Sequence, residues 1–439
     1  MTCREVVKYL DSFIDYEKSQ VKDYRSDFKL ERTRSLLSSL EDPQKMFKII
    51  HVAGTKGKGS TAAFIASILK EEGLRVGLYT SPHLISFCER IRVDGEMIGE
   101  DTLSRIIADS RPHFEKLRDQ GLSFFEVYTA AAFLYFKEML IDIAVMETGL
   151  GGRLDATNAA QSIVSVITPI SIEHAHILGD TLGRIAYEKA GIIKKGSICI
   201  SAPQDKEALD VIEDRCSRTG VGLSLVGRDI KVDGIGLDKE RERFNVRTVH
   251  REYRELETTL LGRHQVVNAA TAIGAVEALG KSGISISEDS IRIGIARTNW
   301  PGRMEIIERD PFIVLDGAQN TASAKALIEA MKRRFGDEKF TLILGISKDK
   351  DIKGICEVLS AETSRVVLTR ARTPRAADPE IIKEYIDHGS VEIIPDSKDA
   401  LRSVLAKADK KDVILVAGSL YLVGEIRENL IREELKQLK

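Results

Sequence analysis

Short runs of apolar, mostly β-branched residues alternate along this chain with longer segments whose apolar residues recur at helical spacing. The short runs predict buried strands and the longer segments predict amphipathic helices. Their alternation predicts βαβ units, and therefore a parallel sheet covered by helices. In the first part of the chain the predicted strands are 48–53, 76–80, 141–146, 163–168 and 197–201, and the predicted helices are 60–72, 101–118, 125–139 and 181–194.

The segment 221–260 departs from this alternation, because it is charged, lacks a helical period and carries short alternating runs. It predicts a small antiparallel patch, whereas 262–280 is rich in alanine and predicts a helix. Near Thr298–Arg303 the sequence Trp-Pro-Gly-Arg breaks the pattern, which predicts two α/β domains at 1–298 and 299–439. The strands predicted in the second domain are 312–316, 340–345, 365–369, 391–395 and 413–417.

The composition fits an ordinary globular enzyme, with 439 residues, 43% hydrophobic and 30% charged. A net charge of −2 does not favour general binding of nucleic acid or of membrane surfaces. The five cysteines show no CxxC spacing, which favours reduced thiols in a cytosolic protein. The first residues are amphipathic and include acids, unlike a signal peptide, and no apolar run is long enough for a membrane span. We therefore expect a soluble, cytoplasmic protein.

The segment 51–61, HVAGTKGKGST, joins the first predicted strand to a helix through a turn with three glycines. A helix N-terminus offers unpaired N–H groups and a positive dipole end, and glycines let the backbone close around phosphate oxygens. Lys58 can reach the terminal phosphates, and the hydroxyl of Ser60 or Thr61 can contact them or a magnesium ion. Although Gly59 separates Lys58 from Ser60, unlike the general P-loop pattern, the segment predicts binding of a nucleoside triphosphate.

Polar residues follow two further strands. Glu147 comes after the run IDIAVM, where its carboxylate could hold a Mg²⁺ that bridges nucleotide phosphates, or could be an exposed loop glutamate. Ser81 follows another strand, and its hydroxyl could ligate that ion or merely cap a turn. In the glycine-rich loop after Glu147, Arg153 and Asp155 could contact an anionic substrate or pin the loop by an ion pair.

His174 and His176 follow the strand that ends near Thr168. Two histidines at i and i+2 do not share a helix face, which argues against a zinc pair. His174 is either a metal-binding or acid–base group, or a loop histidine paired with Glu173. Lys189 lies beside the apolar face of a short helix, and a lysine in that position is usually a surface residue.

In the second domain, Asp316 ends a predicted strand and is a candidate for ribose or metal contact. Arg303 lies at the domain joint, and Asn268, on the 262–280 helix, could bond an adenine edge, cap or pack. The charged run 348–351 is typical of a solvated turn. Since ligands bind beyond the carboxyl ends of parallel strands, the loops at these ends predict a cleft between the domains.

Longer motifs extend through nearly the whole chain and occur in a fixed order. They are HVAGTKGKGST, TSPHLISFCERIRV, SFFEVYTAAAFLYF, ETGLGGRLDATN, EHAHILGDTLGRIAYEKAGIIK, GRHQVVNAATA, NWPGRMEII, LDGAQN and GSLYLVGE. In these motifs the chain resembles the folylpolyglutamate synthase and dihydrofolate synthase family, a branch of the Mur-type amide ligases. The resemblance implies a P-loop, Mur-ligase-like N-terminal domain, a smaller Rossmann-like C-terminal domain and a monomer.

The resemblance also implies roles for residues. It implies two Mg²⁺ ions, one held by Ser81 and Glu147 and the second by His174, with K⁺ as a further candidate ion. Lys189 matches a lysine that family members carbamylate, which converts a cation into an anion suited to a metal site and replaces the surface interpretation. Lys58, His174 and Lys189 are the expected catalytic residues. The residues expected to bind ATP are Gly54, Thr55, Lys56, Gly57, Lys58, Gly59, Ser60, Thr61, Asn268, Arg303 and Asp316.

Three loops and a strand end match regions that hold the pterin substrate in the family. The residues expected to contact the substrate are Ser26, Asp27, Phe28, Pro82, His83, Ser123, Phe124, Phe125, Glu126, Leu154, Asp155 and Ala156.

The chain departs from the family pattern at two positions. Gln319 replaces a common histidine and cannot carry a charge. Lys56 replaces a common asparagine and should add positive potential near the phosphates.

The expected reaction begins when a substrate carboxylate attacks the γ-phosphate of ATP. The amino group of L-glutamate then captures the acyl phosphate, while domain closure excludes water. We expect glutamate addition to folates, with dihydropteroate as a second acceptor. The alternatives are folylpolyglutamate synthesis alone, a Mur-type ligase acting on another carboxylate, and a non-catalytic nucleotide-binding module.

Overall fold

Strands in three sheets organise the chain in the computed structural model, which describes residues 3–16, 24–238 and 241–437. The first sheet contains β1 (Lys48–Ala53), β2 (Val76–Tyr79), β3 (Ile91–Val93), β4 (Glu96–Met97), β5 (Ile143–Glu147), β6 (Val164–Ile167), β7 (Ile198–Ser201) and β8 (Leu223–Leu225). A small antiparallel sheet contains β9 (Lys231–Asp238), β10 (Arg241–Arg247) and β11 (Glu252–Thr258). The last sheet contains β12 (Glu305–Arg309), β13 (Phe312–Leu315), β14 (Phe340–Leu344), β15 (Thr363–Arg370), β16 (Val391–Asp396) and β17 (Val413–Ala417).

Helices cover both large sheets. Those of the N-terminal part are α1 (Cys3–Leu10), α2 (Tyr24–Asp27), α3 (Leu30–Ser39), α4 (Lys58–Glu71), α5 (Glu100–Arg118), α6 (Phe124–Glu138), α7 (Ala175–Leu178), α8 (Leu182–Ala190), α9 (Lys206–Thr219), α10 (Arg263–Ala278) and α11 (Glu288–Arg297). Those of the C-terminal part are α12 (Thr321–Phe335), α13 (Ile352–Ser360), α14 (Pro379–Lys383), α15 (Ser397–Leu405) and α16 (Leu420–Gln437). Across the described residues, none of these helices has the length and apolar character needed to cross a membrane.

The first sheet has the strand order β4-β3-β2-β5-β1-β6-β7-β8, and only the edge pairs β2–β3 and β3–β4 are antiparallel. The last sheet has the order β12-β13-β17-β14-β15-β16, with β12 antiparallel at its edge. Parallel strands at the centre of each sheet need cover on both faces, and this explains their continuous apolar runs. In β1, for example, Ile50 and Val52 face one core, whereas Ile49 faces the other.

The predicted α/β class and mixed sheets are confirmed. The strand predicted at 48–53 is β1, and the antiparallel patch predicted within 221–260 is formed by β9, β10 and β11. The helix of the glycine-rich motif begins at Lys58, two residues earlier than the predicted start. Lys58 and Gly59 therefore belong to the first helical turn, so both lie at the positive end of the helix dipole.

Candidate functional site

The glycine-rich loop lies at the carboxyl end of β1 and leads directly into α4. Gly54 and Gly57 have φ values of +151° and +79°, and a Cβ at either position would clash, within 1.8 Å of Thr168 Oγ1 and 2.3 Å of Asn268 Oδ1 respectively. Only glycine fits such a conformation at such close contact. Because α4 begins at Lys58, the first N–H groups of the helix have no acceptor within the helix. The loop is therefore built to receive an anion.

Two of the predicted phosphate-binding residues use their amide groups elsewhere. The N–H groups of Thr55 and Lys56 both donate to the Pro169 carbonyl, at 3.0 and 3.1 Å. The Thr55 hydroxyl donates to the Ser171 carbonyl. In this structure the donors that face an anion are therefore those of the Lys58–Ser60 helix start, and the earlier part of the loop is tied to the segment after β6.

Thr61 and Ser60 are buried in the first turn of α4. The Thr61 hydroxyl has no hydrogen-bond partner among the described residues. A buried hydroxyl without a partner is costly in an isolated protein, and this one lies at the anion-binding end of a helix. It is therefore suited to a bound ligand.

Glu147, the last residue of β5, is buried beside Lys58, with Lys58 Nζ 3.9 Å from Glu147 Oε1. The backbone N–H of Ser81, at the end of β2, donates to Glu147 Oε2 at 3.2 Å. Burial raises the pKa of Glu147 to about 6, against the opposing effect of Lys58. Burial excludes the interpretation of Glu147 as an exposed loop residue, and the carboxylate and the Ser81 hydroxyl bring hard oxygen donors to one strand edge.

Lys189 lies in the last turn of α8 and is buried, not exposed as a lysine at this position usually would be. Its ammonium donates to the Gly54 carbonyl at 2.7 Å. Burial, followed by the positive charge of Lys58, lowers its pKa to about 7. Near neutral pH a large fraction of Lys189 is therefore an uncharged, nucleophilic amine held against the glycine-rich loop.

Glu173 connects the two parts of the molecule. Its carboxylate is 2.9 Å from Lys56 Nζ and 3.7 Å from Lys350 Nζ, and it accepts a hydrogen bond from the Asn320 amide at 3.3 Å. Burial alone would raise the pKa of Glu173, but Lys56 and Lys350 lower it to about 2. The prediction of a solvated turn is wrong for Lys350, which is 9% exposed and points into the cleft. The extra charge of Lys56 is paired rather than free.

His174 follows Glu173 but is not its main partner, because the Glu173 carboxylate pairs with Lys56 and Lys350. Its backbone has φ 54°, an uncommon conformation for a residue with a side chain, and its ring lines the cleft. Burial lowers the pKa of His174 to about 4, so the imidazole is neutral near neutral pH and can offer a lone pair. His176 is close by, with ring centroids 6.5 Å apart.

A cavity of about 620 Å³ lies between the domains, next to Ser81 and His174. Its N-terminal wall is aromatic and apolar, with Phe28, Pro82, Phe125 and Leu150. Phe28 packs on Tyr24 with ring centroids 5.1 Å apart. The C-terminal wall is polar and is formed by Gln319, Ser347, Lys348, Asp349, Lys350, Arg375, Leu420 and Tyr421. Such a cavity suits a flat ring at one wall and a charged ligand at the other.

The loop at the floor of this cavity is held by Asp155. Its Oδ2 accepts from the backbone N–H groups of Gly149 and Leu150, at 2.9 and 3.0 Å, and its Oδ1 accepts from the Thr157 hydroxyl. The Thr157 hydroxyl is 2.8 Å from His51 Nε2, so the chain of hydrogen bonds begins in β1. Arg153 forms an ion pair with Glu188, at 2.8 Å. Arg153 therefore pins the loop by an ion pair, which is one of its two predicted roles, whereas Asp155 pins it by hydrogen bonds and not by the predicted ion pair.

Other residues predicted to contact the substrate are occupied by internal contacts. Ser123 and Glu126 form the capping box of α6, and the Glu126 carboxylate also pairs with buried Arg32 at 2.6 Å. Phe124 stacks on Tyr128, and His83 Nδ1 accepts from Arg90 at 2.9 Å. Leu154 packs at a core edge, Ala156 is buried in a 3₁₀ turn, and Ser26 and Asp27 lie in α2. Phe28, Pro82, Phe125 and Asp155 are the predicted residues that line the cavity.

Of the residues predicted to reach ATP from farther along the chain, Asn268 lies beside the glycine-rich loop, and Arg303 and Asp316 lie at the joint between the domains. The Asn268 amide approaches Gly57 and donates to Gln265 at 2.9 Å. Asp316 accepts from the backbone N–H groups of Met304 and Ala318, both at 2.8 Å, and this orders the joint between the domains. Arg303 lies beside Gly317, and its charge acts on both Glu147 and Asp316.

Comparison with known proteins places this geometry in a family. Residues 52–276 match the Mur ligase middle domain, and residues 302–420 match the Mur ligase, glutamate ligase domain. A dihydrofolate synthase/folylpolyglutamate synthase of Bacillus subtilis is 36% identical over 91% of this chain and 94% of its own length. The chain belongs to the folylpolyglutamate synthase and dihydrofolate synthase family of Mur ligases. Its members are ATP-dependent ligases, and this chain is an enzyme of that type.

Two further relatives support the assignment to this ligase family. A folylpolyglutamate synthase of Lacticaseibacillus casei is 36% identical over 98% of this chain and 99% of its own length. The crystal structure of Mycobacterium tuberculosis folylpolyglutamate synthase, complexed with ADP and AMPPCP, superposes with a TM-score of 0.88 at 30% identity and covers 97% of both chains. The resemblance stated from the sequence motifs is confirmed.

The sequence did not predict the roles of three residues in this ligase site. The contact between Glu173 and Lys350 depends on how the two domains pack, and it cannot be predicted from the sequence because the residues are 177 positions apart. His51 could have been suspected, since a histidine inside a buried parallel strand must find a hydrogen-bond partner. Nothing local in the sequence identifies that partner as Thr157.

Proposed function

We propose that this ligase uses ATP to join L-glutamate to folates, extending a polyglutamate tail, and also joins it to dihydropteroate. The observation that carries the proposal is the convergence of Lys58, Glu147 and Lys189 at the carboxyl edge of the first sheet, beside a cavity with one aromatic and one polar, charged wall. The first group of residues suits a triphosphate, and the cavity suits an aromatic acid and an amino acid. Since one chain supplies both walls, a monomer suffices.

The side chains at the sheet edge fit a magnesium nucleotide. The Glu147 carboxylate and Ser81 hydroxyl are hard oxygen donors, and the unpartnered Thr61 hydroxyl lies at the helix start. When bound, Mg²⁺ would supply positive charge that neutralises the phosphate oxygens. Lys58 would contribute a further cation, and His174 offers a neutral ring nitrogen at the cavity.

Lys189 fits the proposed carbamylation. Its amine can add to CO₂, forming an N–C bond and releasing a proton, so that a carbamate anion replaces the ammonium. The site already holds Lys58 and Lys56 close to Lys189, and both disfavour its cationic form. An anion at this position would relieve that repulsion and would supply a further oxygen donor beside the loop.

The proposed reaction proceeds in two steps. A carboxylate oxygen of the acceptor attacks the γ-phosphorus, and the bond from that phosphorus to the bridging oxygen breaks, which releases ADP. The glutamate amine, losing a proton, then attacks the acyl carbon, and inorganic phosphate leaves. Lys350, which lies 3.7 Å from Glu173, and Arg375, which pairs with Asp349 at 2.7 Å, line the C-terminal wall, and we assign them to the carboxylates of the incoming glutamate, which would replace part of these pairs. The contact of Glu173 with Lys350 and Asn320 closes the cleft against water.

The test is acceptor-dependent phosphate release. Purified protein, Mg·ATP and L-glutamate are combined with either tetrahydrofolate or dihydropteroate, and the ADP and the mass of the product are measured. Turnover with both acceptors supports the full proposal, and turnover with tetrahydrofolate alone restricts it to folylpolyglutamate synthesis. Absence of turnover with both acceptors would reject it. Glu147→Ala should abolish turnover, whereas Glu338→Ala, which removes an exposed carboxylate, should not.

A further inference from the structure

The loop after β2, which we call the 81–86 loop, extends from the carboxyl edge of the first sheet to the C-terminal domain. It starts at Ser81, whose backbone N–H donates to Glu147 and which lines the cavity. Three positions later, Leu84 packs against the hydrophobic core of the C-terminal domain. Leu84 therefore joins a loop of the nucleotide-binding edge to the opposite domain.

On the C-terminal side, Leu84 lies against the start of α16. Gly424 of this helix is buried, and a Cβ built on it would lie 2.1 Å from the Leu84 carbonyl oxygen. The two methyl groups of Leu84 reach Gly302 in the segment that joins the domains, where a Cβ would lie 3.4 Å from each. The helix can approach the loop backbone this closely only because position 424 has no side chain. Gly424 is therefore required by the contact between the domains.

Both partners of this contact are fixed within their own domains. The Glu89 carboxylate accepts hydrogen bonds from the backbone N–H groups of the three successive residues 84–86, at 2.8, 2.9 and 2.8 Å. Leu422 and Val423, the neighbours of Gly424 in α16, are fully buried in the C-terminal core. Because neither partner is a flexible end, a displacement at the contact is passed on to the rest of the loop and of the helix.

The contact lies directly behind both walls of the cavity. Ser81, three positions before Leu84, lines one wall, and Tyr421, three positions before Gly424, lines the other. In the proposed mechanism the acyl phosphate forms at the first wall, while the second holds the glutamate amine. Reacting atoms must come within about 3–3.5 Å of each other before a bond can form. The spacing of the walls therefore decides whether the amine reaches the acyl carbon.

We propose that Leu84 and Gly424 are positioning residues that fix the spacing of the two walls during amide formation. This inference rests on the proposed function, because it assumes an acyl phosphate and an amine on opposite walls. Neither residue is among those that line the cavity, so both act through the loop and the helix. When the spacing is wrong, water attacks the acyl carbon instead of the amine. The bond to the phosphate oxygen then breaks, giving the free carboxylate, inorganic phosphate and a proton.

The test adds one methyl group at the contact. Since an ordinary contact is 3.4 Å or longer, the Cβ of Gly424→Ala must displace the helix or the loop by about 1 Å. We expect the kcat for the amide product to fall by about tenfold or more, while the KM for ATP changes by less than about twofold. The ratio of ADP to amide should rise above one, because water consumes part of the acyl phosphate. Gly389→Ala is the control, since a Cβ at this exposed position meets no atom of the described residues within 4 Å.

Leu84→Ala examines the same contact without adding volume. It removes the methyl groups that lie against Gly302, so the ratio of ADP to amide should again rise above one. Leu84→Met keeps the apolar volume and should restore a ratio near one. If Gly424→Ala and Leu84→Ala lowered kcat but left the ratio at one, the inference would be overturned, because only folded or active protein would have been lost. An unchanged kcat together with an unchanged ratio would overturn it equally.

Hydrogen exchange separates this inference from the proposed function, since it requires no turnover. In Leu84→Ala the backbone amides in the first turns of α16 should exchange faster than in wild type. Leu140→Ala, which truncates a leucine that is 79% exposed, should leave them unchanged. If the wild type forms no amide with either acceptor but exchange responds as expected, the proposed function fails and the contact still sets the spacing of the walls. Unchanged exchange in Leu84→Ala would overturn the contact itself.

Discussion

Two regions that meet at the cleft use charge differently. In the first, which we call the buried wall, Lys189 and Glu147 lie buried at the carboxyl edge of the first sheet, and their pKa values are shifted towards the neutral form. In the second, the C-terminal wall of the cavity, Lys348 and Asp349 are exposed to solvent, although Lys350 is only 9% exposed. Buried charges are strong but costly, whereas exposed charges are weak and screened.

The difference indicates what each region can do. A buried and preorganised set of charges can stabilise a transition state of fixed geometry. An exposed set can rearrange around a ligand that must enter and leave. Glu173 lies at the junction of the two regions, because it pairs with Lys56 of the glycine-rich loop and with Lys350 of the C-terminal wall.

Replacing Lys189 by alanine should have the largest effect. We expect turnover to fall by about 100-fold or more, because in the proposed mechanism Lys189 acts beside the phosphates bound by the glycine-rich loop. The fold should persist, since alanine suits a helix and removes a buried amine. The assay is ADP release, with circular dichroism as the check of folding and Lys195→Ala, an exposed neighbour, as the control. Wild type, but not the variant, should take up isotopically labelled bicarbonate, and equal uptake would refute carbamylation of Lys189.

Replacing Glu173 by glutamine should weaken the junction between the walls. It leaves Lys56 and Lys350 without their shared anion, and we expect the unfolding free energy to fall by about 1–3 kcal/mol at neutral pH. The folded pKa of about 2 lies below the ordinary 4.5, so the contribution of Glu173 is present above pH 4.5 and is lost as the pH falls towards 2. Denaturant unfolding across this range measures it, with Glu338→Gln as the control. If the unfolding free energies of wild type and Glu173→Gln changed in the same way with pH, Glu173 would not be the group that stabilises the junction.

Both α/β units could be predicted from the sequence because strand alternation and turn residues are local signals. The run 413–417 predicts β17 without error. The sequence does not predict the edge strands β3 and β4, since two- and three-residue strands carry too little periodicity to be recognised. The predicted start of α4 is two residues later than the observed start at Lys58, because a glycine-rich stretch gives little helical signal.

The candidate site was predictable where residues follow strands directly. Glu147, Ser81 and the glycine-rich loop meet because the carboxyl ends of parallel strands share one edge. The burial of Lys189 could be inferred only from the family resemblance, because helical spacing does not show what covers a lysine. The engagement of Glu126 by Arg32, 94 residues away, is a tertiary contact without any local signal.

The pH dependence of nucleotide binding should show a moderate effect on the buried wall. Because burial raises the pKa of Glu147 to about 6, its carboxylate becomes protonated and loses its charge as the pH falls through that value. Affinity for Mg·ATP should therefore fall below about pH 6, by up to about tenfold per pH unit. The effect on folding stability has the opposite sign. A lower pH stabilises the folded state, since burial favours the neutral form of Glu147. A nucleotide titration at several pH values measures the effect, and a pH-independent affinity would exclude Glu147 as a ligand.

Replacing His51 should have the smallest effect and should act on the floor of the cavity. The Thr157 hydroxyl donates to Asp155, so His51 Nε2 must donate to Thr157, while the buried Nδ1 has no partner among the described residues. His51→Leu removes one hydrogen bond from this series, and we expect a loss of about 1 kcal/mol in unfolding free energy.

His51→Gln is the matched variant, because its amide can donate in place of Nε2. If the hydrogen-bond series positions the 149–155 loop, the leucine variant should raise the KM for folate and leave that for ATP unchanged, and glutamine should restore it. If both variants lost the same unfolding free energy and neither KM changed, His51 would only pack in the core and would not position the 149–155 loop. That outcome would also show that the buried wall is ordered by Asp155 and its backbone contacts alone, without support from β1.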